Sequence, residues 1–246
     1  MSEAELSLAC VSAAAVANVL GGVPVVLRRE PWNPRALHAF IAVGAGFMLA
    51  AAILRMAPSA TAITPLAPLL ILGGYLLVHL FEHTIAPHFH FGEETHPQLV
   101  VSSSVWVWAL VGLLLHSLFD GISIGSGFLV TPTLGFLVFS AIILHKAPEG
   151  FTVASLMVAA GFSRAGALAG AAVVGAASIV GVLAVRAFSA HVGPALALST
   201  GVTLYVAASD LIPEVNKEEG PAMPLLVFAG VALFYASDLI LEHILG

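Results

Sequence analysis

Long apolar runs separated by short polar segments cover almost the whole chain. Eight of these runs have the length, roughly 20 residues, that an α-helix needs to cross the hydrocarbon core of a bilayer. They lie near residues 6–27, 36–56, 66–86, 100–126, 133–158, 165–188, 194–214 and 223–245. Because the sequence lacks the short alternating strands of a membrane β-barrel, we predict an all-α polytopic membrane protein with eight transmembrane helices.

Composition supports a membrane protein and excludes several other classes. Of the 246 residues, 59% are hydrophobic and 9% are charged, whereas about a quarter of a soluble domain is charged. The connections are short, so we predict one transmembrane domain over residues 1–246. No basic tract suggests nucleic acid, and the single cysteine, Cys10, excludes a disulfide framework or a thiolate metal site. The first span has no basic leader and no cleavage motif, so we expect it to be retained.

The basic residues predict the orientation of the chain in the membrane. Five of them fall in odd-numbered loops: Arg28, Arg29, Arg35, Arg164 and Lys217. Arg55 and Arg186 fall on the opposite side. Since cytoplasmic loops are enriched in Lys and Arg, we expect the odd-numbered loops in the cytoplasm and both termini outside it.

Short internal echoes indicate a repeat. The segment GFMLAAAILRMAP (46–58) matches GVTLYVAASDLIP (201–213) in the spacing of its Gly, Leu, Ala and Pro residues. ANVLG (17–21) resembles ASIVG (177–181), and the Glu-His pair at 82–83 recurs at 242–243. Spans 1–3 then correspond to spans 6–8 with the opposite direction. We therefore predict a 3+2+3 inverted-repeat arrangement, which is common in secondary transporters with a site near the bilayer midplane.

Spans 4 and 5, which this repeat leaves unpaired, carry most of the unusual chemistry. His116 precedes Asp120 by four residues in span 4, and His145 precedes Glu149 by four in span 5. Positions four apart share one face of a helix, so two adjacent helices would direct two imidazoles and two carboxylates at one point. That set suits a divalent cation of borderline softness such as zinc. Because buried ionisable groups in spans are costly, a metal pathway is favoured over structural pairing.

Three further residues in these spans would make room for an ion. Pro148 lacks a backbone N–H, so we expect the helix to bend where the Leu144 carbonyl loses its partner. Gly121 and Gly125 form a small-residue face that lets a neighbouring helix approach closely.

Lys146 is harder to interpret. It lies one position after His145, roughly 100° around the helix, so it need not contact the same ion. An ammonium group here would repel a second metal and could pair with a carboxylate. The alternative is a lysine that extends to the membrane interface.

The two motifs together resemble those of the ZIP (Zrt/Irt-like) family of metal transporters. HSLFDG is similar to the family's fourth-span motif and HKAPEG to its fifth-span motif. The resemblance implies uptake of divalent metal toward the cytoplasm, an elevator-like movement of spans 1, 4, 5 and 6 against spans 2, 3, 7 and 8, and a homodimer.

The resemblance also implies a set of site residues. The primary metal ligands would be His116, Asp120, His145 and Glu149. Met48 matches a second-span methionine that contributes in some members. Ser117 and Lys146 stand where many relatives have residues that support a second metal, and the sixth span offers only Ser178. We therefore expect a single-metal site, with Lys146 in the place of the second ion.

Other polar residues leave two interpretations open. Asp210 and Glu214 either pass metal to the cytoplasm or form a solvated helix end. The histidines at the end of span 3 and in the following loop, namely His79, His83, His88, His90 and His96, either bind metal or are merely solvated. Asp238 and Glu242 either lie near the outer mouth or are polar residues at a helix end, and the second interpretation is favoured.

Transport is the predicted function. A dication entering an inside-negative cell gains about 4.6 kcal/mol per 100 mV, so no ATP module is needed, and the sequence has no GxxxxGK[ST] loop. An intramembrane zinc-dependent hydrolase is the alternative, although the chain lacks an HExxH motif. A metal sensor would need a signalling domain that the short loops cannot supply. We predict that the protein is not an enzyme.

The expected substrate is zinc, with Fe, Mn, Co and Cd tolerated, and no organic cofactor is expected. The expected partners are metal ions, the lipid bilayer and a second copy of the chain, without nucleic acid. We expect the plasma (inner) membrane as the location.

Overall fold

The structure, a computed structural model, describes residues 2–27, 34–85 and 105–245, and these ranges contain helices and no strand. Eight helices in them are long and apolar enough to cross a membrane. We number them α1 to α8: Glu3–Leu27, Leu37–Ile63, Ala67–Thr84, Trp106–Val130, Pro132–Ala159, Arg164–Ala187, Ser189–Val215 and Ala222–Leu245. The predicted all-α fold with eight membrane-spanning helices is confirmed, and the chain is an integral membrane protein.

The end of the second span was predicted wrongly. The sequence suggested that α2 ends near residue 56, before Pro58, but the helix continues to Ile63. A π-helical turn over Ala52–Met56 precedes the proline. The wider turn accommodates the missing N–H and the ring of Pro58 without ending the helix. The same device occurs in α7, where a π-helical segment over Val206–Leu211 precedes Pro213.

The fourth and fifth spans are separated by one residue. The helix of α4 extends to Val130, four residues beyond its predicted end, and α5 begins at Pro132. Thr131 caps α5, because its side-chain oxygen accepts a hydrogen bond from the Leu134 amide at 3.1 Å. Helix α5 then runs unbroken to Ala159 with Pro148 inside it. This tight connection holds α4 and α5 side by side.

Helix packing divides the bundle into two groups. Helices α1 and α6 pack against each other, α1 also packs on α5, and α6 packs on α4. In the other group, α2 packs on α8 and α3 packs on α7. Contacts of α5 with α2 and of α4 with α7 join the two groups. Helices α4 and α5 therefore lie where all parts of the bundle meet.

Glycines allow the closest of these contacts. A Cβ atom at Gly121 would lie 1.8 Å from the carbonyl oxygen of Ser178 in α6, and one at Gly125 would lie 2.5 Å from the side chain of Val185. Neither distance is sterically possible. The prediction that Gly121 and Gly125 admit a neighbouring helix is confirmed.

The close approaches come in matched pairs. The eight contacts in which an added Cβ would lie 1.7–2.1 Å from a backbone carbonyl oxygen of a neighbouring helix form four pairs. The pairs are Gly21–Ala147 with Gly181–Leu118, Gly150–Asn18 with Gly121–Ser178, Gly46–Val227 with Gly201–Ile71, and Gly74–Leu198 with Gly230–Val43.

This register corrects one of the echoes. In the register set by Gly74 and Gly230, Glu82 corresponds to Asp238, one helical turn before the Glu242 that the Glu-His echo indicated. The repeated Glu-His pair is therefore a coincidence of sequence.

Substitution of a contact glycine should destabilise the bundle. In Gly201→Ala the new Cβ would lie 1.9 Å from the carbonyl oxygen of Ile71, so α3 and α7 must separate, at a cost of about 1–3 kcal/mol. Thermal unfolding of the detergent-purified protein should show a lower Tm. Gly73→Ala is the matched control, because a Cβ there meets nothing within 4 Å. Equal Tm values for the two variants would contradict this packing.

Candidate metal centre

Four ionisable side chains from α4 and α5 converge inside the bundle. His116 and Asp120 lie one turn apart on α4, and His145 and Glu149 lie one turn apart on α5. One ligand atom from each of the four lies within 4.8 Å of the others. Their exposed fractions are 5%, 2%, 4% and 7%. The structure thus brings together all four residues that the spacing indicated.

The two imidazoles face each other across the cluster. Their Nε2 atoms are 3.3 Å apart, and Asp120 Oδ2 lies 3.3 Å from that of His116 and 3.2 Å from that of His145. The Nδ1 atom of His145 lies 3.2 Å from the carbonyl oxygen of Ala141 one turn earlier. A hydrogen bond from Nδ1 to this carbonyl would leave the Nε2 lone pair available to a metal ion.

Lys146 lies inside the same cluster. Its side chain is fully buried, so the alternative of a lysine that extends to the interface is wrong. Its Nζ atom lies 2.8 Å from Asp120 Oδ2, 2.5 Å from Glu149 Oε2 and 2.9 Å from the hydroxyl oxygen of Ser117. All three protons of the ammonium group therefore have a partner. Lys146 points in a different direction around α5 from His145, but its side chain is long enough to reach the same carboxylates.

This set of atoms could hold a divalent cation. Two imidazole nitrogens and two carboxylates match the ligand preferences of zinc and of the neighbouring first-row metals. The Oε1 atom of Glu149 is buried without a hydrogen-bond partner among the described residues, which is unusual for a charged oxygen. An apolar crevice between α3, α4 and α7, lined by Leu77, Val78 and Phe119, reaches His116.

Met48 is fully buried in α2. It belongs to a core cluster that includes Leu137 and Ala141 of α5, so it packs beside the segment that leads to His145. This places Met48 next to the helix that carries the site, and its role as a ligand stays a prediction.

Asp210 and Glu214 lie outside the four-residue cluster. Each is only 3% exposed, so the interpretation of a solvated helix end is wrong for these two side chains. Glu214 pairs with Lys217, whose Nζ lies 2.6 Å from its Oε2, and His38 Nε2 lies 4.0 Å from its Oε1. Their part in a metal pathway stays a prediction.

A second buried polar group involves Glu82, which the sequence placed merely at a span end. Glu82 is 1% exposed and accepts a hydrogen bond of 2.9 Å from the Tyr205 hydroxyl. Its carboxyl group also interacts with that of Asp210. The matched position in the other half holds an ion pair, in which Arg55 Nε lies 2.8 Å from Asp238 Oδ1. No spacing in the sequence marks this group, because its members come from α3 and α7 and meet only in the packed bundle.

The ion pair also changes the interpretation of Asp238 and Glu242. Arg55 also bonds Glu242, so Asp238 and Glu242 are held by a cation of α2 instead of forming a merely polar helix end.

The predicted histidine tract is only partly within the described ranges. His83 is exposed, and its Nδ1 lies 2.9 Å from the His79 carbonyl oxygen. The ring centroids of His79 and His83 are 4.2 Å apart. His88, His90 and His96 lie outside the described residues, as do Arg28 and Arg29 of the first loop.

Fold and site together define a helical membrane protein with a buried His/carboxylate centre between its two central helices. The profile of the ZIP zinc transporter family matches residues 90–238, which is more than half of the chain. The protein therefore belongs to the ZIP family, a family of transporters and not of enzymes, and the predicted resemblance is confirmed.

Individual relatives agree with this assignment. Zinc transporter ZIP9 of Micropogonias undulatus is 29% identical over 155 residues, covering 58% of this chain and 49% of that protein. Zinc transporter ZIP9 of Xenopus tropicalis is 28% identical over 155 residues, covering 58% and 50%. Zinc transporter zipt-7.1 of Caenorhabditis briggsae is 28% identical over 112 residues, covering 43% and 29%. The chain aligns with about half the length of the ZIP9 relatives.

Loss of one imidazole should weaken metal binding. In His145→Ala the Kd for zinc should rise by more than about tenfold, since even the loss of an outer-shell partner commonly costs 10–100-fold. Titration calorimetry on the purified protein measures this. His191→Ala removes an exposed histidine far from the cluster in sequence and should leave the same site unchanged. An unaltered Kd in His145→Ala would show that this cluster is not where zinc binds.

Proposed function

We propose that this protein transports divalent metal cations, zinc foremost, into the cytoplasm by alternating access through a single-metal site. The observation that carries the proposal is the buried convergence of His116, Asp120, His145 and Glu149 within 4.8 Å of one another. Membership of the ZIP family supports transport as the activity. Relatives named zinc transporters support zinc as the substrate.

The direction of transport follows from charge. With the odd-numbered loops in the cytoplasm and an inside-negative potential, an entering dication releases about 4.6 kcal/mol per 100 mV. Uptake therefore needs no further energy source. The plasma (inner) membrane is the location at which this gradient acts.

The mechanism we propose is movement of α1, α4, α5 and α6, as one body, against α2, α3, α7 and α8. The packing contacts support this division, since the main contacts of α1 and α6 lie within the first group and those of α2–α8 and α3–α7 within the second. All four proposed ligands lie on α4 and α5 of the moving group. The matched glycine contacts support the 3+2+3 inverted repeat that would supply the two alternative positions.

We propose that only one metal binds. Where a second ion would lie, the ammonium group of Lys146 already contacts Asp120, Glu149 and Ser117. A second dication would have to displace a fixed positive charge from both carboxylates. Fe, Mn, Co and Cd share the ligand preferences of zinc and are proposed as further substrates.

The inner end of the bundle supports a path toward the cytoplasm. The crevice that reaches His116 also borders Phe81, which is adjacent in sequence to the buried Glu82. We propose that Asp210 and Glu214, together with His83, His88 and His90, receive the metal there. We also propose a homodimer, with the lipid bilayer as the remaining partner.

Zinc influx into liposomes tests the transport function. Purified protein in vesicles loaded with a zinc-sensitive dye should give influx in the wild type and in His191→Ala. Influx should fall to the rate of protein-free vesicles in His145→Ala, because a primary ligand is lost. Tight zinc binding without influx, accompanied by cleavage of a lipid or peptide, would instead favour the zinc-dependent hydrolase.

Metal stoichiometry tests the single-metal site. The wild type should bind one zinc ion per chain in this site, and Lys146→Asp should bind two, because an acid replaces the cation. Equilibrium dialysis with metal analysis measures both, and subtraction of the value for a His116→Ala/His145→Ala variant removes zinc bound elsewhere. An unchanged one-to-one ratio in Lys146→Asp would contradict our account of Lys146.

A further inference from the structure

We propose that Lys146 travels with the metal site as a fixed counter-charge, so that the buried site carries one positive charge when loaded and one negative charge when empty. The inference rests on the proposed alternating-access transport. The double charge of the dication is then split between two steps, the inward movement of the loaded site and the outward movement of the empty site.

The contacts of Lys146 place it within the moving group. Its three partners, Asp120, Ser117 and Glu149, all lie on α4 and α5, the helices that carry the proposed ligands. The side chain has no exposed surface. A lysine held in this way keeps its position relative to the site when the site moves.

The charges of the buried groups can be counted. Asp120 and Glu149 contribute two negative charges, the imidazoles are neutral when they act as ligands, and Lys146 contributes one positive charge. With the imidazoles neutral in both states, the empty site carries a single negative charge, and binding of a dication converts it to a single positive charge. Without Lys146 the same site would be neutral when loaded and would carry two negative charges when empty.

This difference matters because the cost of a charge in a low-dielectric interior rises with the square of the charge. Without Lys146, the largest net charge that the site carries across the membrane is two, and with Lys146 it is one. The corresponding solvation cost is therefore about fourfold lower. The step that benefits is the return of the empty site, whereas the loaded step becomes charged. The ammonium group therefore equalises the two steps.

The membrane potential then acts on both steps. With the inside negative, the loaded site moves inward with one positive charge and the empty site moves outward with one negative charge. Each step is favoured by about 2.3 kcal/mol per 100 mV if the site crosses the whole field. A site without the lysine would place the full effect of the potential on the return step.

Zinc exchange in wild-type vesicles tests the charge of the loaded site. With equal, saturating zinc on both sides, exchange of a zinc isotope involves only loaded carriers. If the loaded site is charged, a clamped potential of 100 mV of either sign should slow exchange by up to about three- to fourfold, because carriers accumulate on one side. Exchange that is independent of potential would show a neutral loaded site and overturn the proposal.

Variants of Lys146 test the return step. Lys146→Met should lower the ratio of net zinc uptake to zinc exchange by about tenfold or more, because only net uptake requires the empty site to return with its larger charge. Lys146→Arg keeps the charge and should keep the ratio within about threefold of the wild type.

Net uptake and exchange together distinguish a failure of the counter-charge role of Lys146 from a failure of transport. A parallel fall of net uptake and exchange in Lys146→Met, with an unchanged ratio, would assign Lys146 a purely structural role and overturn the inference alone. If Lys146→Met does not assemble, the potential dependence of wild-type exchange still decides. The absence of both net uptake and exchange in the wild type would instead reject the proposed transport.

Discussion

The ammonium group of Lys146, held between Asp120 and Glu149 in an apolar interior, is the interaction on which the site depends. Each of these three charges alone would carry a desolvation penalty of several kcal/mol. Lys146 donates hydrogen bonds to both carboxylates, and the hydroxyl oxygen of Ser117 accepts the third hydrogen bond of the ammonium group. A divalent cation can offer the two carboxylates the same compensation. The lysine and the metal are thus electrostatically similar partners of one pair of acids.

Close helix packing keeps this site in place. Both members of each His/carboxylate pair lie on a helix and not on a loop, and glycines on either side of the site let the neighbouring backbones approach without side chains between them. Gly121 follows Asp120 and meets α6, while Gly150 follows Glu149 and meets α1. Sites built on such rigid elements hold their ligand geometry more accurately than sites on loops. The same contacts connect α4 and α5 to the helices proposed to move with them.

The two ends of the bundle differ in charge at matched positions. On one side Arg55 neutralises Asp238, whereas on the other Glu82 lies against Asp210 and accepts a hydrogen bond from Tyr205. Similar helix packing therefore supports an ion pair in one half and a pair of acids in the other. The acid pair lies near the end of α3 and the end of α7.

The sequence by itself determined the features that depend on one helix at a time. Apolar runs predicted eight spans, and the four-residue spacing placed His116 with Asp120 and His145 with Glu149, because helical periodicity is local. Tertiary structure decided what depends on contact between helices: the entry of Lys146 into the cluster, the burial of Glu82 against α7, and the pairing of the glycine contacts. Sequence spacing gives the direction of a side chain around its own helix, but not the neighbour that it meets, and only the packing of the bundle supplies that neighbour.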